Sequence, residues 1–314
     1  MQKDVDLLII GSGPAGLSAA QYGARGGLAT LAVEQMAVGG QALMIDVLEN
    51  YPGFVGARSG MLIMEEMHAQ AEGFGAEFLF DSVCSLRRDG RFFRAELSSG
   101  GSIKAGALIL ASGAGHRTLN VPGEAEFSGR GVSYCASCDG PFFKNKKIFV
   151  VGGGDAACDE ARFLSRISGD ITMLVRRTEF KAQKALVHRL LKDGSIKTRF
   201  CTRVAAIKGE EKVKSLVLED TETGKTSEEA ADAVFVFAGL VPETGLVSGS
   251  GAEIQLKLDK SGFIISDQRM ESSVKGIFTA GDVRSSPFRQ VVTACADGAV
   301  AAHSAGEYIQ EMTK

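Results

Sequence analysis

Short apolar runs alternate with segments of helical period along the chain. Residues 6–10 form an apolar run of strand length, 11–16 a glycine-rich turn, Pro14–Arg25 a helical pattern, and 29–34 a second apolar run. The same succession returns at Lys147–Val151, 152–154, 156–165 and 170–175. Strand-length apolar runs bounded by glycine and alternating with helices predict βαβ units around parallel sheets. Two hairpins are predicted as well. Phe92–Leu97 and 102–107 flank Ser98-Ser99-Gly100-Gly101, and 213–219 and Thr226–Ala230 flank a turn ending in Gly224. Toward the end of the chain, 276–280 predicts a strand and 291–309 a long apolar helix. Stretches 114–124, with Gly115, Pro122 and Gly123, and 239–245, with Pro242, carry boundary signals. If the chain leaves one domain at the first and returns at the second, the middle domain is an insertion.

The composition narrows the class. Hydrophobic residues make up 45% and charged residues 23%, as in a soluble chain with packed cores. No apolar run reaches the roughly 20 residues that span a bilayer. A net charge of -3 does not provide the basic footprint that phosphate-backbone binding requires, so nucleic acid is not an expected partner. Residues 1–6 are polar and no basic segment with a cleavable apolar stretch follows, which predicts a cytoplasmic chain. In such a compartment a structural disulfide framework is not expected, and a disulfide is expected to be catalytic.

Gly11-Ser12-Gly13-Pro14-Ala15-Gly16 lies between a strand and a helix. Gly11 permits a tight turn, Gly13 lets backbone approach a pyrophosphate, and Gly16 allows close helix–strand packing. The helix N-terminus adds unpaired N–H groups. Glu34 ends the next strand about 20 residues on, where an acid accepts hydrogen bonds from an adenosine ribose. Gly152-Gly153-Gly154-Asp155-Ala156-Ala157 repeats the arrangement with alanine in the last place. In place of an acid, this second unit has Arg176, Arg177 and, nearby, Lys181. Cations there suit a ribose carrying a 2′-phosphate, the alternative being a solvated basic loop.

Of the six cysteines, only Cys135 and Cys138 are closely spaced, in Cys135-Ala136-Ser137-Cys138-Asp139-Gly140. A CxxC brings two sulfurs within bridging distance and can depress a thiol pKa. A zinc site would need a second pair or nearby histidines, and His68, His116, His188 and His303 are far apart in sequence, so no metal is expected. Asp139 is either a proton donor to a departing thiolate or a turn residue before Gly140. Gly281-Asp282 follows a strand, where an acid can bind a ribityl hydroxyl. Arg289-Gln290 precedes the apolar helix, whose positive end lies near whatever they touch. Met61, Met64 and Met67 at helical spacing in 60–72 are expected to pack in a core. Cys84, Cys158, Cys201 and Cys295 are expected to be small buried hydrophobes.

Taken together, these stretches resemble the low-molecular-weight thioredoxin reductases over essentially the whole chain. The resemblance rests on GSGPAG at 11–16, Glu34 to Gln41, residues 49–53, 111–114, CASCDG at 135–140, GGGDAA at 152–157, Arg176-Arg177, 280–283 and Arg289-Gln290. The CxxCDG between two nucleotide units is its most specific element. In the glutathione and lipoamide enzymes the redox pair lies in the first domain instead.

The resemblance implies an α/β chain of two Rossmann-like three-layer dinucleotide-binding domains, the second inserted into the first. Residues 1–116 and 246–314 would bind FAD, and 117–245 would bind NADPH and carry the redox pair. It implies FAD contacts at Gly11, Ser12, Gly13, Pro14, Ala15, Gly16, Glu34, Gly39, Gly40, Gln41, Asn50, Val83, Gly113, Gly281, Asp282, Arg289, Gln290 and Val291. It implies NADPH contacts at Gly152, Gly154, Asp155, Ala156, Ala157, Arg176, Arg177 and Lys181, and a homodimer.

The family carries histidine before its arginine pair and commonly arginine as the third cation. This chain has Val175 and Lys181, which weakens a bidentate phosphate clamp while keeping its charge. The implied activity passes electrons from NADPH through FAD to the Cys135–Cys138 disulfide and on to oxidised thioredoxin. Cys138 would face the flavin, Cys135 would attack the partner, and Asp139 would serve as the acid. Dithiol and nicotinamide would take turns at one flavin, with the two connecting stretches as a hinge. Two related activities share the fold: a ferredoxin-fed thioredoxin reductase, which needs no second nucleotide turn, and a flavin dithiol oxidase for small molecules, which needs no basic loop.

Overall fold

The computed structural model describes residues 2–45, 48–56 and 58–312. The chain divides into two compact units, Met1–Gly115 with Val241–Lys314, and His116–Leu240.

The first unit opens with β1 (Gln2–Ile10), α1 (Pro14–Arg25) and β2 (Thr30–Glu34). Next come α2 (Gly60–Gly73), β3 (Glu77–Phe80), β4 (Val83–Asp89), β5 (Phe92–Leu97) and β6 (Ser102–Leu110). β1 starts at Gln2 rather than at Asp6. Its polar leading residues are drawn into the sheet because β6 offers a parallel ladder as far as Gln2 opposite Ser102. Leu7 and Ile9 of β1 pack on the face that receives Ala15 and Ala19 of α1. Leu8 and Ile10 pack on the other, with Leu86 and Phe93. A strand buried on both faces reads as a continuous apolar run, which is why no alternation marks it.

The chain crosses to the second unit through β7 (Ala114–His116). There follow β8 (Val132–Ser133), α3 (Ala136–Asp139), β9 (Lys147–Val151), α4 (Asp155–Ser165), β10 (Asp170–Leu174), α5 (Lys184–Leu191) and β11 (Ile196–Arg199). The sheet order is β11-β10-β9 and then β15 (Ala233–Val236) and β8, all parallel. Between β11 and β15 in sequence lie β12 (Thr202–Gly209), β13 (Val213–Asp220) and β14 (Thr226–Ala230), an antiparallel sheet. It covers one face of the parallel sheet through Val204, Leu216, Phe149 and Val151. Ala157, Ala161 and Leu190 of the helices cover the other with Ile148 and Val150. The unit is thus three layers deep.

β16 (Leu240–Pro242) leads back and pairs with β7. The Glu243 N–H donates to the Gly113 carbonyl at 3.0 Å, so the chain has rejoined the first unit inside the boundary stretch 239–245, ahead of residue 246. The first unit closes with β17 (Ile277–Thr279) and α6 (Val291–Met312). Its parallel order is β3-β2-β1-β6, with β17 also on β6, and β5 and β4 continue the sheet antiparallel. α6 lies so close to α1 that a Cβ on Gly298 would stand 2.1 Å from the Ala15 carbonyl oxygen.

Two packing expectations need correction. On α2 the buried face is Gly60, Ile63, Met64 and Ala71; Met61 points about 100° away from Gly60 around the helix and is exposed. Among the single cysteines, Cys158 and Cys295 are buried, Cys201 is partly exposed, and Cys84 is exposed. Cys84 lies at an irregularity in the β4–β5 register, on the outer face, with its thiol on the Glu96 carbonyl at 3.3 Å.

These environments predict an order of reaction with an alkylating reagent. Burial pushes the Cys158 thiol up to about 12 and the Cys295 thiol up to about 11. At pH 8 their thiolate fractions are therefore on the order of 10⁻⁴ and 10⁻³. Iodoacetamide pulses followed by mass spectrometry should find Cys84 labelled first and Cys158 and Cys295 last.

Candidate active site

In the first unit the glycine-rich turn is shaped by steric demands that differ from one glycine to the next. Gly11 has φ +96°, and a Cβ there would lie 2.5 Å from the Ala111 carbonyl oxygen; at Gly16 it would lie 1.9 Å from that of Gly11. At Gly13 only the Gly39 oxygen comes as near as 4.0 Å, so space remains in front of that backbone. Pro14 occupies the first turn of α1, where its missing N–H costs nothing. The Glu34 carboxylate accepts the Ser12 N–H and the Ser12 hydroxyl, both at 2.8 Å, and the Met36 N–H at 3.0 Å. A carboxylate has about four acceptor positions, so it keeps capacity for a ribose hydroxyl. Ser12 thus orients the acid.

Other residues gather at the same turn. The Gly39 N–H donates to the Ser12 carbonyl at 2.8 Å, and a Cβ on Gly40 would lie 3.2 Å from the Gly13 Cα. Gln41 donates through Nε2 to the Ala114 carbonyl, next to Gly113. The Asp81 N–H donates to the Glu34 carbonyl at 3.0 Å, and Val83 opens β4 two residues later, opposite Leu97. A Cβ on Gly281 would be 2.8 Å from that of Ala15, so Asp282 follows directly from the turn. Asn50 donates to Gln290 Oε1 at 2.9 Å, immediately before Val291 opens α6.

The groups beyond the turn suit a polar ligand. Burial raises the Asp282 pKa, Arg289 opposes that rise, and Asp297 adds to it. The Arg289 guanidinium lies 3.9 Å from the centre of the Phe263 ring, and its buried Nε has no hydrogen-bond partner. A buried donor without an acceptor is costly, and a ligand carbonyl or phosphate would satisfy it. This orphan, the open space at Gly13 and the ribose-ready Glu34 together fit FAD.

One support was not predicted. Asp297 holds Arg284 at 3.0 and 3.1 Å and accepts the Gly281 N–H at 3.2 Å, fixing the backbone before Asp282. Its only signal in the sequence is an acid within the largely apolar first half of α6.

In the second unit Cys135 and Cys138 form a disulfide across α3, with their Cα atoms 5.4 Å apart. The Cys138 N–H donates to Cys135 Sγ at 3.2 Å, and the Ser137 hydroxyl lies 3.5 Å from the same sulfur. Cys138 is the more exposed of the two. Asp139 ends the helical turn and lines a cavity of about 140 Å³ with Ser133, Phe142 and Phe143. The preceding residue, Tyr134, donates its hydroxyl at 2.8 Å to the buried Glu124. Glu124 also accepts the Leu119 and Asn120 N–H groups at 2.8 and 2.7 Å. This polar anchor gave no periodic signal. Among the described residues, no group of three or more His, Cys, Asp or Glu is placed to hold a metal ion.

The turn at Gly152 repeats the steric pattern. Gly152 has φ +146°, and a Cβ there would meet the Phe237 oxygen at 2.5 Å and the Ala157 Cβ at 2.8 Å, whereas nothing lies near Gly154. Asp155 and Ala156 open α4. Val175 is buried against Gly153, so it serves packing and offers no polar contact. Arg176, Arg177 and Lys181 are exposed, and among the described residues their side chains have no hydrogen-bond or ion-pair partner.

Two dinucleotide turns and a cysteine pair on a helical turn define a class, the flavin-dependent disulfide oxidoreductases. The chain belongs to the pyridine nucleotide-disulphide oxidoreductase family, whose profile matches residues 5–298. It is 50% identical over 314 residues to a thioredoxin reductase of Treponema pallidum, covering 99% of both chains. Its fold superposes with a TM-score of 0.93 on a thioredoxin reductase of Lactococcus lactis, at 38% identity over 98% of this chain and 99% of that one. A thioredoxin reductase of T. acidophilum gives 0.90 at 32% identity, over 97% and 98%. The protein is a flavin-dependent oxidoreductase that uses a pyridine nucleotide. Among the described residues, no helix is long and apolar enough to cross a membrane.

Proposed function

We propose that this chain uses NADPH to reduce the disulfide of a thioredoxin through the Cys135–Cys138 pair, as a cytoplasmic homodimer. The observation that carries this is the disulfide itself, one cysteine of which is set up to hold a thiolate. FAD, bound at the first unit's turn, supplies two-electron transfer between the nicotinamide and the thiol pair.

Once the pair is reduced, a thiolate on Cys135 accepts the Cys138 N–H and lies beside the Ser137 hydroxyl; hydrogen bonds to the charged form favour it. Cys135 is therefore the attacking sulfur. It displaces one sulfur of the target disulfide as a thiolate and leaves a mixed disulfide. Cys138 then attacks Cys135 and releases the second target thiolate. Two electrons pass from the pair to the target, and the two leaving thiolates take up two protons. Asp139, beside the pair, donates a proton to a departing sulfur. Arg176, Arg177 and Lys181 bind the 2′-phosphate, which favours NADPH over NADH. The unpaired state of all three cations supports this reading over a ferredoxin-fed one.

Reduction of a purified thioredoxin, followed by nucleotide absorbance, tests the proposal. NADPH should support turnover with kcat/KM at least about tenfold above NADH, the scale of one charge-assisted phosphate contact. Equal use of both nucleotides would remove the role given to the basic loop. Oxidation of NADPH that continues undiminished without thioredoxin would favour an oxidase.

A further inference from the structure

The basic loop of the second unit is closed at its neck on a single residue, Gly153. On one side stands the Val175 side chain, with Cγ1 2.9 Å from where a Cβ on Gly153 would be. On the other, the Gly153 carbonyl accepts the Lys181 N–H at 2.7 Å and the Ala182 N–H at 3.1 Å. Just past the neck, Asp155 accepts the Gln183 N–H at 2.8 Å on Oδ1 and the Gln183 side-chain amide at 2.6 Å on Oδ2. Gln183 thus ties the end of the loop to the first turn of α4.

This tie has two physical consequences. The ribose between them keeps the 5′-phosphate and 2′-phosphate of one adenosine within a limited range of separations, so the turn that takes the first and the cations that take the second must be held in register. Exposed arginines on a loop do not supply that register themselves, because each side chain carries about 2 kcal/mol of rotamer entropy. The second consequence concerns charge. The acid Asp155 at the start of α4 opposes an incoming phosphate, and Gln183 engages both of its oxygens.

We propose that Gln183, through Asp155, is the positioning residue that sets the discrimination in favour of a 2′-phosphorylated adenosine. This rests on the reading that the second unit takes NADPH. Gln183 itself need not touch the nucleotide.

The test is calorimetry on the FAD-loaded full-length protein with 2′,5′-ADP and 5′-AMP, which differ only in the 2′-phosphate. The ratio of their two dissociation constants cancels changes confined to the turn. Gln183→Glu sets a second carboxylate against Asp155, and the ratio should fall about tenfold, the scale of one charge-assisted hydrogen bond. Adding Asp155→Asn restores the pair with donor and acceptor exchanged, and the ratio should return to within about threefold of the starting value. Should Gln183→Glu fail to fold, Gln183→Ala removes only the amide bond, and the ratio should fall several-fold.

An unchanged ratio in a folded Gln183 variant would overturn the proposal, as would a loss that the double variant does not repair. No preference for 2′,5′-ADP in the unaltered protein would overturn the NADPH reading together with this one. A preference for 2′,5′-ADP that Gln183→Glu leaves undiminished would overturn this one alone.

Discussion

Cys135→Ser and Cys138→Ser should each lower NADPH-dependent thioredoxin reduction by about 10⁴-fold or more, the scale on which removing a covalent nucleophile acts. Serine keeps the size of the side chain but cannot exchange with a disulfide at neutral pH. FAD content should be unchanged in both variants, because the groups that fit the cofactor belong to the other unit. The two variants should differ in what they trap. With Cys138→Ser, Cys135 still displaces a small thiol from a single-cysteine thioredoxin charged as its mixed disulfide with thionitrobenzoate; neither protein then holds a neighbouring thiol to resolve the product, so a covalent adduct accumulates on a non-reducing gel. With Cys135→Ser it should not, since the sulfur that accepts the Cys138 N–H and faces the Ser137 hydroxyl is gone. Trapping by the Cys135 variant instead would reverse the assignment of attacker and resolver.

How much of this was legible beforehand depends on whether a feature is local. α1 at Pro14–Arg25, β9 at Lys147–Val151, β5 at Phe92–Leu97 and β14 at Thr226–Ala230 match their predicted bounds, because glycine, proline or polar turns delimit them in sequence. β11 at Ile196–Arg199 was not predicted; its short alternating run is too brief to mark a strand, and it exists because β10 offers a parallel edge. The glycine turns and the CxxC are local as well and could be read directly. The contacts that hold them are not local. Glu34 on Ser12, Asp297 on Arg284, Glu124 on Tyr134 and Gln183 on Asp155 join polar residues brought together by the fold, and polar pairs leave no hydrophobic period. The misplacement of Cys84 has a similar cause. Residue type argues for burial, but a register irregularity between Val83 and Ser85 decides which face the side chain takes.

Gly16→Ala and Gly13→Ala should separate the two demands on the first turn, fold and cofactor. A Cβ at Gly16 would lie 1.9 Å from the Gly11 carbonyl oxygen and 2.9 Å from its carbonyl carbon, both backbone atoms of a residue at φ +96°. Neither can move without displacing β1 or α1, so the methyl group forces the helix off the sheet. Overpacking of this kind costs about 1–3 kcal/mol or more, and Gly16→Ala should melt several degrees lower and purify without bound FAD. At Gly13 the backbone has φ -65°, open to any residue, and the nearest atom to an added Cβ is 4.0 Å away. Gly13→Ala should therefore melt, as the FAD-free protein, within about a degree of the unaltered apoprotein. Its methyl group would occupy the space into which a pyrophosphate must come, and a lost charge-assisted contact or two corresponds to about 10²-fold weaker FAD binding. Flavin absorbance after reconstitution and calorimetric melting of the apoproteins measure the two effects separately. Full flavin retention by Gly13→Ala would place the phosphates away from this turn.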